Sequence, residues 1–384
     1  MVDTHQISAC GCKRPQYPDH RRAKICGINK LSKYALRFKA GPGAFNDVRK
    51  RGFSEERIGT IAGASGGAKW LVLSQLDRVI TGRILPKLSG PVHLIGSSIG
   101  AWRFCCYAQS SPKDAIERFE SAYLDQTYTE KPDAAEITRT SRDILRHLLG
   151  ETGPRDIVSH PVLRTHIMTV RSRSIMASEW RPLLASGLLI AATMNFVSRR
   201  SLGAFFYRSL FYDARDLPPF YNARGFPLDR IRLTEQNILD AVTASGAIPL
   251  VLHGVKDIHG APEGIYRDGG IIDYHLDLPL SDPDRLTLFP HFFEQLVPGW
   301  FDKKLYWRRP HPEHTDRTVL ICPSDEFIYS LPNNKVPDRN DFATMSPELR
   351  VKAWRSAVAA CERLAEELND VLDKDQLPAR LERL

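Results

Sequence analysis

The chain lacks any apolar run of the roughly 20 residues that a membrane-spanning helix needs. Its nearest approach, Leu183–Val197, is interrupted by Ser186 and Asn195. Internal repeats and low-complexity tracts are also absent, which excludes solenoid and fibrous architectures. Cysteine is sparse: seven in 384 residues, with Cys10 near Cys12, Cys105 beside Cys106, and Cys26, Cys322 and Cys361 apart. An odd count without regular spacing excludes a disulfide framework, and adjacent cysteines on a predicted helix do not make a zinc knuckle. Reduced thiols in a cytoplasmic protein are expected. Met1 to Lys33 is polar and rich in Lys and Arg, without the apolar stretch of a secretory signal. His291, His311 and His314 lack the spacing of a metal set, so no metal or other cofactor is expected.

What is present is a 42% hydrophobic content, sufficient for a large core, and a net charge of +8. A basic surface favours anionic partners. The basic residues are dispersed and no recognition motif appears, so nucleic acid is not an expected partner. The stretch 183–212 is different: apolar and aromatic, with Arg199, Arg200, Phe205, Phe206, Phe211 and Tyr212. It is expected either to lie peripherally on an anionic membrane or to form a buried helical hairpin.

Hydrophobic periodicity predicts alternating strands and helices. Strands are expected at Tyr34–Phe38, Ile58–Ala62, Val92–Ile95, Val162–Val170 and Thr318–Cys322. Helices are expected at Ala44–Arg51, Ala68–Ile80, Ala101–Gln109 and Thr234–Ser245, with Ser346 capping a long helix from Pro347 to about Leu372. Ile248–Val255 is expected to be extended in part, and Arg267–Asp273 to be a turn running into a strand. Strand–turn–helix units in series imply an α/β fold with a mostly parallel central sheet. The expected organisation is an irregular N-terminal arm over 1–30, an α/β domain over 31–330 and a helical C-terminal extension over 331–384.

Two turns carry the glycine-x-serine-x-glycine pattern of a nucleophile elbow: Gly63-Ala64-Ser65-Gly66-Gly67 and Gly96-Ser97-Ser98-Ile99-Gly100. Each lies between a predicted strand and helix, where a serine is presented at a sheet edge beside helical N–H donors. Ser65 is the expected nucleophile and Ser98 the alternative. Gly66 and Gly67 leave room for a substrate carbonyl, whereas β-branched Ile99 crowds the space after Ser98. A further glycine turn, Gly41-Pro42-Gly43, stands upstream as a candidate source of oxyanion donors. Asp268-Gly269-Gly270 is either an ordinary β-turn, since Asp-Gly is a common turn pair, or a tight turn that sets a carboxylate beside a serine hydroxyl. His275 lies near it in sequence; the histidines otherwise show no context that marks a triad.

In order, Leu36–Gly43, Ile61–Ala68 and Tyr266–Gly270 resemble the oxyanion loop, nucleophile elbow and aspartate turn of the patatin-like phospholipase family. The resemblance covers about residues 34–280. It implies a three-layer α/β/α fold and a Ser65–Asp268 dyad with no histidine. Gly41, Gly43 and Gly66 would form the oxyanion hole, supported by Gly63, Gly67, Gly269 and Gly270. The family's loop is a run of glycines followed by a basic residue; at the upstream turn Pro42 interrupts it and Ala44-Phe45-Asn46 follows. The implied activity is hydrolysis of a lipid or small carboxylic ester through an acyl-enzyme. The same fold also accommodates acyl transfer to an alcohol, or a lipid-binding scaffold without turnover.

Overall fold

The computed structural model describes residues 34–384; the expected N-terminal arm, 1–30, lies outside them. In chain order the strands are β1 (Leu36–Ala40), β2 (Ile58–Gly63), β3 (Val92–Ser97), β4 (Leu163–Ser172), β5 (Phe206–Tyr212), β6 (Leu228–Arg232), β7 (Val255–Lys256), β8 (Ile265–Asp268), β9 (Leu286–Pro290), β10 (Thr318–Pro323) and β11 (Leu381–Arg383). They form one sheet in the order β11-β1-β10-β9-β2-β3-β4-β5-β6, with β8 also on β4 and β7 on β8. The five central strands, β10 to β4, are all parallel. β2 and β3 are buried at every position, as expected for parallel strands covered by helices on both faces. Antiparallel pairs flank that centre, between β1 and β10 and between β4 and β5. This is the expected α/β class: a mixed, mostly parallel sheet with C-terminal helices.

One feature of register sets up the site. β3 pairs with β4 only as far as Ser97 opposite Met168. β4 runs on to Ser172, and β8 enters that vacated edge antiparallel, with Asp268 opposite Thr169. The last residue of β8 therefore meets the last residue of β3 nearly end to end.

The helix Ile99–Tyr107 leaves β3 at once and packs on β2, β3 and β4. All nine of its residues are buried, including Arg103. That charge is tolerated because Asp77 accepts two bonds from it, at 2.8 and 2.6 Å, while Tyr107 donates to the same carboxylate at 2.8 Å. A buried ion needs such a partner.

Several elements differ from the sequence reading. The helix expected at Ala68–Ile80 begins as a 3-10 turn, Gly67–Leu73, before the α-helix Ser74–Val79. Ile248–Val255 is mostly turn, and the strand near Asp268 precedes the turn instead of following it. The stretch 183–212 is not a helical hairpin. It contains the helix Arg181–Val197 and then β5, whose Phe206 and Phe211 are core residues. Two of its arginines face inward: Arg208 makes a bidentate pair with buried Asp273, at 2.7 and 2.8 Å, and Arg199 donates to the Ile272 carbonyl at 2.6 Å. They brace the segment after Asp268 and are not free for headgroups.

Ser346 does cap the C-terminal helical region, its hydroxyl accepting from Leu349 N. The region is two helices, Pro347–Ala360 and Glu362–Asp373, separated at Cys361. It ends in β11, parallel to β1, and Glu367 accepts the amides of Ala35 and Leu36 at 2.7 and 3.2 Å.

Candidate active site

β2 and β3 are in register with Gly63 opposite Gly96, so the two glycine-serine turns leave the same sheet edge side by side. The carboxyl ends of parallel strands are where open α/β sheets bind ligands. Asp268 arrives at this edge on β8.

Ser98 Oγ donates to Asp268 Oδ2 at 2.7 Å. The other carboxylate oxygen accepts the Gly270 amide at 2.7 Å, which fixes the carboxylate's orientation. Ser98 has φ 55° and ψ −126°, a conformation that L-residues rarely adopt. Holding it costs on the order of 1–3 kcal/mol. The surroundings supply the constraint: Ser98 N donates to Ser245 Oγ at 2.8 Å, and Ser245 Oγ donates to the Met168 carbonyl at 2.7 Å. The flanking glycines are sterically required. A Cβ on Gly100 would sit 2.0 Å from the Gly63 carbonyl oxygen, and one on Gly96 would sit 2.4 Å from Ala101 N.

Ser65 belongs to the same site but is held differently. Its backbone is not in the positive-φ region. Its hydroxyl donates to Ser97 Oγ at 3.0 Å, and its amide donates to the Tyr274 carbonyl at 2.8 Å. Ser65, the expected nucleophile, thus lacks a bond to Asp268, and Ser98, the alternative, has one. Ser65 instead lines the aspartate turn: a Cβ on Gly270 would lie 2.5 Å from Ser65 Oγ, and one on Gly269 would lie 2.8 Å from Ser97 Oγ and 2.2 Å from the Met168 carbonyl. Both glycines let the aspartate turn close onto the two serine turns.

The oxyanion role expected for Gly41 and Gly43 does not fit this geometry. β1 and β3 are four strand spacings apart, about 19 Å. Both amides are already committed, Gly41 N to the Thr318 carbonyl at 3.0 Å and Gly43 N to Asp316 Oδ1 at 2.8 Å. That turn closes β1 against the segment before β10. Gly66 does lie at the site, and its amide has no partner among the described residues. Gly67, at φ 56°, makes the left-handed step that starts the following 3-10 turn.

No histidine bonds to Ser98 or Asp268 among the described residues. His275 Nδ1 accepts the Val297 amide at 2.9 Å, and His93 pairs with His166 at 3.0 Å. No group of three or more metal-ligating side chains occurs among the described residues.

Burial pushes the Asp268 carboxyl up to about 6, against the opposing pull of its bonds from Ser98 and Gly270 and the positive field of Lys303 and Arg339. Lys303 is pushed down to about 6, first by burial, then by repulsion from Lys69 and Arg339. Its Nζ stands 3.9 Å from the centre of the Tyr274 ring. Burial also lowers Lys69 to about 8.

Sequence reasoning missed Ser245, Ser97, Lys69 and Lys303 as parts of this site. For Ser245 and Lys303 no local pattern marks them. For Lys69 a signal existed: Gly66-Gly67-Ala68-Lys69 is itself a glycine pair followed by a basic residue, the loop pattern that the resemblance assigns to Gly41–Gly43.

No family model matches the chain, and no curated protein matches it. Among solved structures it is similar to human GIVD cytosolic phospholipase A2, at 10% identity and a TM-score of 0.39, over 87% of this chain and 62% of that one. It is also similar to VipD from Legionella pneumophila, at 13% identity and a TM-score of 0.27, over 71% of this chain and 57% of that one. The chain thus spans about three fifths of each of these structures.

Proposed function

We propose that this chain is a serine acyl hydrolase of the patatin-like type, with Ser98 as nucleophile and Asp268 as base. The observation that carries the reading is the 2.7 Å bond from Ser98 Oγ to Asp268 Oδ2, made by a serine held at φ 55° between two obligate glycines. Strained backbone is tolerated where the surrounding structure holds it and it aims a reacting group.

Asp268 accepts the Ser98 proton as Oγ attacks an ester carbonyl. The Gly66 amide, without a partner among the described residues, is the donor best suited to the developing oxyanion. Asp268 returns the proton to the departing alcohol, leaving an acyl group on Ser98. It then takes a proton from water, which attacks the acyl carbonyl; the acid leaves and Ser98 is reprotonated. A carboxyl near 6 is matched to this work, since it is ionised at neutral pH yet basic enough to accept a proton. The class of substrate we propose is a lipid carboxylic ester.

Release of free fatty acid from dispersed phospholipid, compared between the native chain and Ser98→Ala, tests the reading. Release by the native chain and none by the variant is expected. Equal release by both would remove Ser98, and no release from phospholipid or simple esters would leave the lipid-binding scaffold.

A further inference from the structure

The helix Arg181–Val197 buries one face and exposes an apolar one. Leu184, Leu188 and Ala191 are buried, and the first two join a small cluster with Met176, Phe206, Ile271 and Ile272. The opposite face is also apolar: Leu189 is 70% exposed, Phe196 59% and Val197 83%, with Ile190 and Met194 beside them. An ordinary surface helix carries charges on its outer face. Here no charged residue occurs between Arg181 and Arg199.

A second segment extends the same surface. Trp307, 63% exposed, meets the Phe196 ring edge-on with centroids 5.8 Å apart. Arg308 donates to the Asn195 carbonyl at 3.1 Å and so ties the segment to the helix end. Trp180, at the other helix end, is 67% exposed. The flanking charges are mostly cationic: Arg181, Arg200, Lys304 and Arg309 are exposed, whereas the nearest exposed acids, Glu179 and Glu313, stand at the outer ends of the two segments, Glu179 paired with Arg267.

We infer that this face docks on an anionic lipid surface. An aliphatic face, tryptophans at its margins and a rim rich in cations is the pattern of an interfacial helix. The helix has 17 residues, about 26 Å at 1.5 Å per residue, and so is short of a span. No helix among the described residues is long and apolar enough to cross a membrane. Through Ile271 and Ile272 its buried face rests on the segment that follows Asp268-Gly269-Gly270, so a single helix lies between the proposed lipid surface and that segment. The surface stands without the hydrolase reading, because vesicle binding needs no turnover.

Co-sedimentation of the full chain carrying Ser98→Ala, with vesicles of phosphatidylcholine alone or mixed with phosphatidylserine, tests the inference. Binding should favour the mixed vesicles and fall as salt rises. Leu189→Glu with Val197→Glu should lower it at least about tenfold. Arg200→Gln and Lys304→Gln should each lower it about fivefold, the weight of one cation near such a surface. Leu349→Glu, an exposed apolar position on a different helix, should leave binding unchanged. Equal binding to both vesicle types, or none, overturns the inference. So does a soluble dimer that Leu189→Glu dissociates while vesicles bind neither form; a second copy would then be the occupant.

Discussion

The turns Gly63–Gly67 and Gly96–Gly100 share one spelling and leave neighbouring parallel strands at matched register, yet they hold their serines in different ways. Ser98 sits at φ 55° with its hydroxyl on Asp268; Ser65 stands outside the positive-φ region with its hydroxyl on Ser97. The difference comes from what lies beyond each strand. β8 enters head-on where β3 ends, and so brings a carboxylate to the second turn. The first turn receives the Tyr274 carbonyl at its amide and keeps the Gly66 amide without a partner among the described residues. In the proposed mechanism one pattern thus serves two roles at a single site: one turn presents a side chain, the other backbone.

The largest effect that separates the turns is expected from Ser98→Ala. Turnover of an ester should fall more than about a thousandfold, as for loss of a nucleophile, with an unchanged circular dichroism spectrum. Residual activity within tenfold of the native chain would break the comparison.

Asp268→Asn should follow, with a loss of at least about a hundredfold. It should also raise Tm. The folded-state pKa of Asp268 lies above its unfolded value, so its favourable contribution is present below the unfolded pKa and lost as pH rises through about 6. At neutral pH the buried carboxylate then costs on the order of 3 kcal/mol. A variant both inactive and less stable would contradict that account. In the native chain, kcat/KM should rise with pH through about 6 as Asp268 ionises, and a flat profile from 4 to 8 (roughly, the span around that value) would count against it.

Ser65→Ala should matter less, lowering kcat by up to about tenfold, the worth of one hydrogen bond. A loss as deep as that of Ser98→Ala would restore Ser65 to the chemistry. The smallest effect on turnover is expected at the distant Gly41–Gly43 turn. Asp316→Ala removes the acceptor for Gly43 N and should cost about 1–2 kcal/mol of stability while kcat stays unchanged. A drop in kcat with stability intact would bring that turn back to the oxyanion.

Much of this was legible in the sequence, because it depends on local signals. The strands before both serines, the glycine turns and the Asp-Gly-Gly turn follow from composition and periodicity. The choice between serines did not, because it rested on Ile99 crowding the site, whereas Ile99 is a buried member of the main core. The Gly41 turn was misplaced because strand order is non-local: β1 pairs with β10 and β11, far from β3 along the sheet. β5 was hidden inside an apolar stretch because its buried Arg208 makes sense only once Asp273, 65 residues later, closes the pair. In each case a local motif was readable, and the partner that gives it meaning came from elsewhere in the chain.

The most direct measurement is reaction of the native chain with a fluorophosphonate, followed by peptide mapping of the modified residue. The account predicts one phosphonyl group per chain, on Ser98, and none on Asp268→Asn within the same time. Modification of Ser65 in place of Ser98 would contradict it.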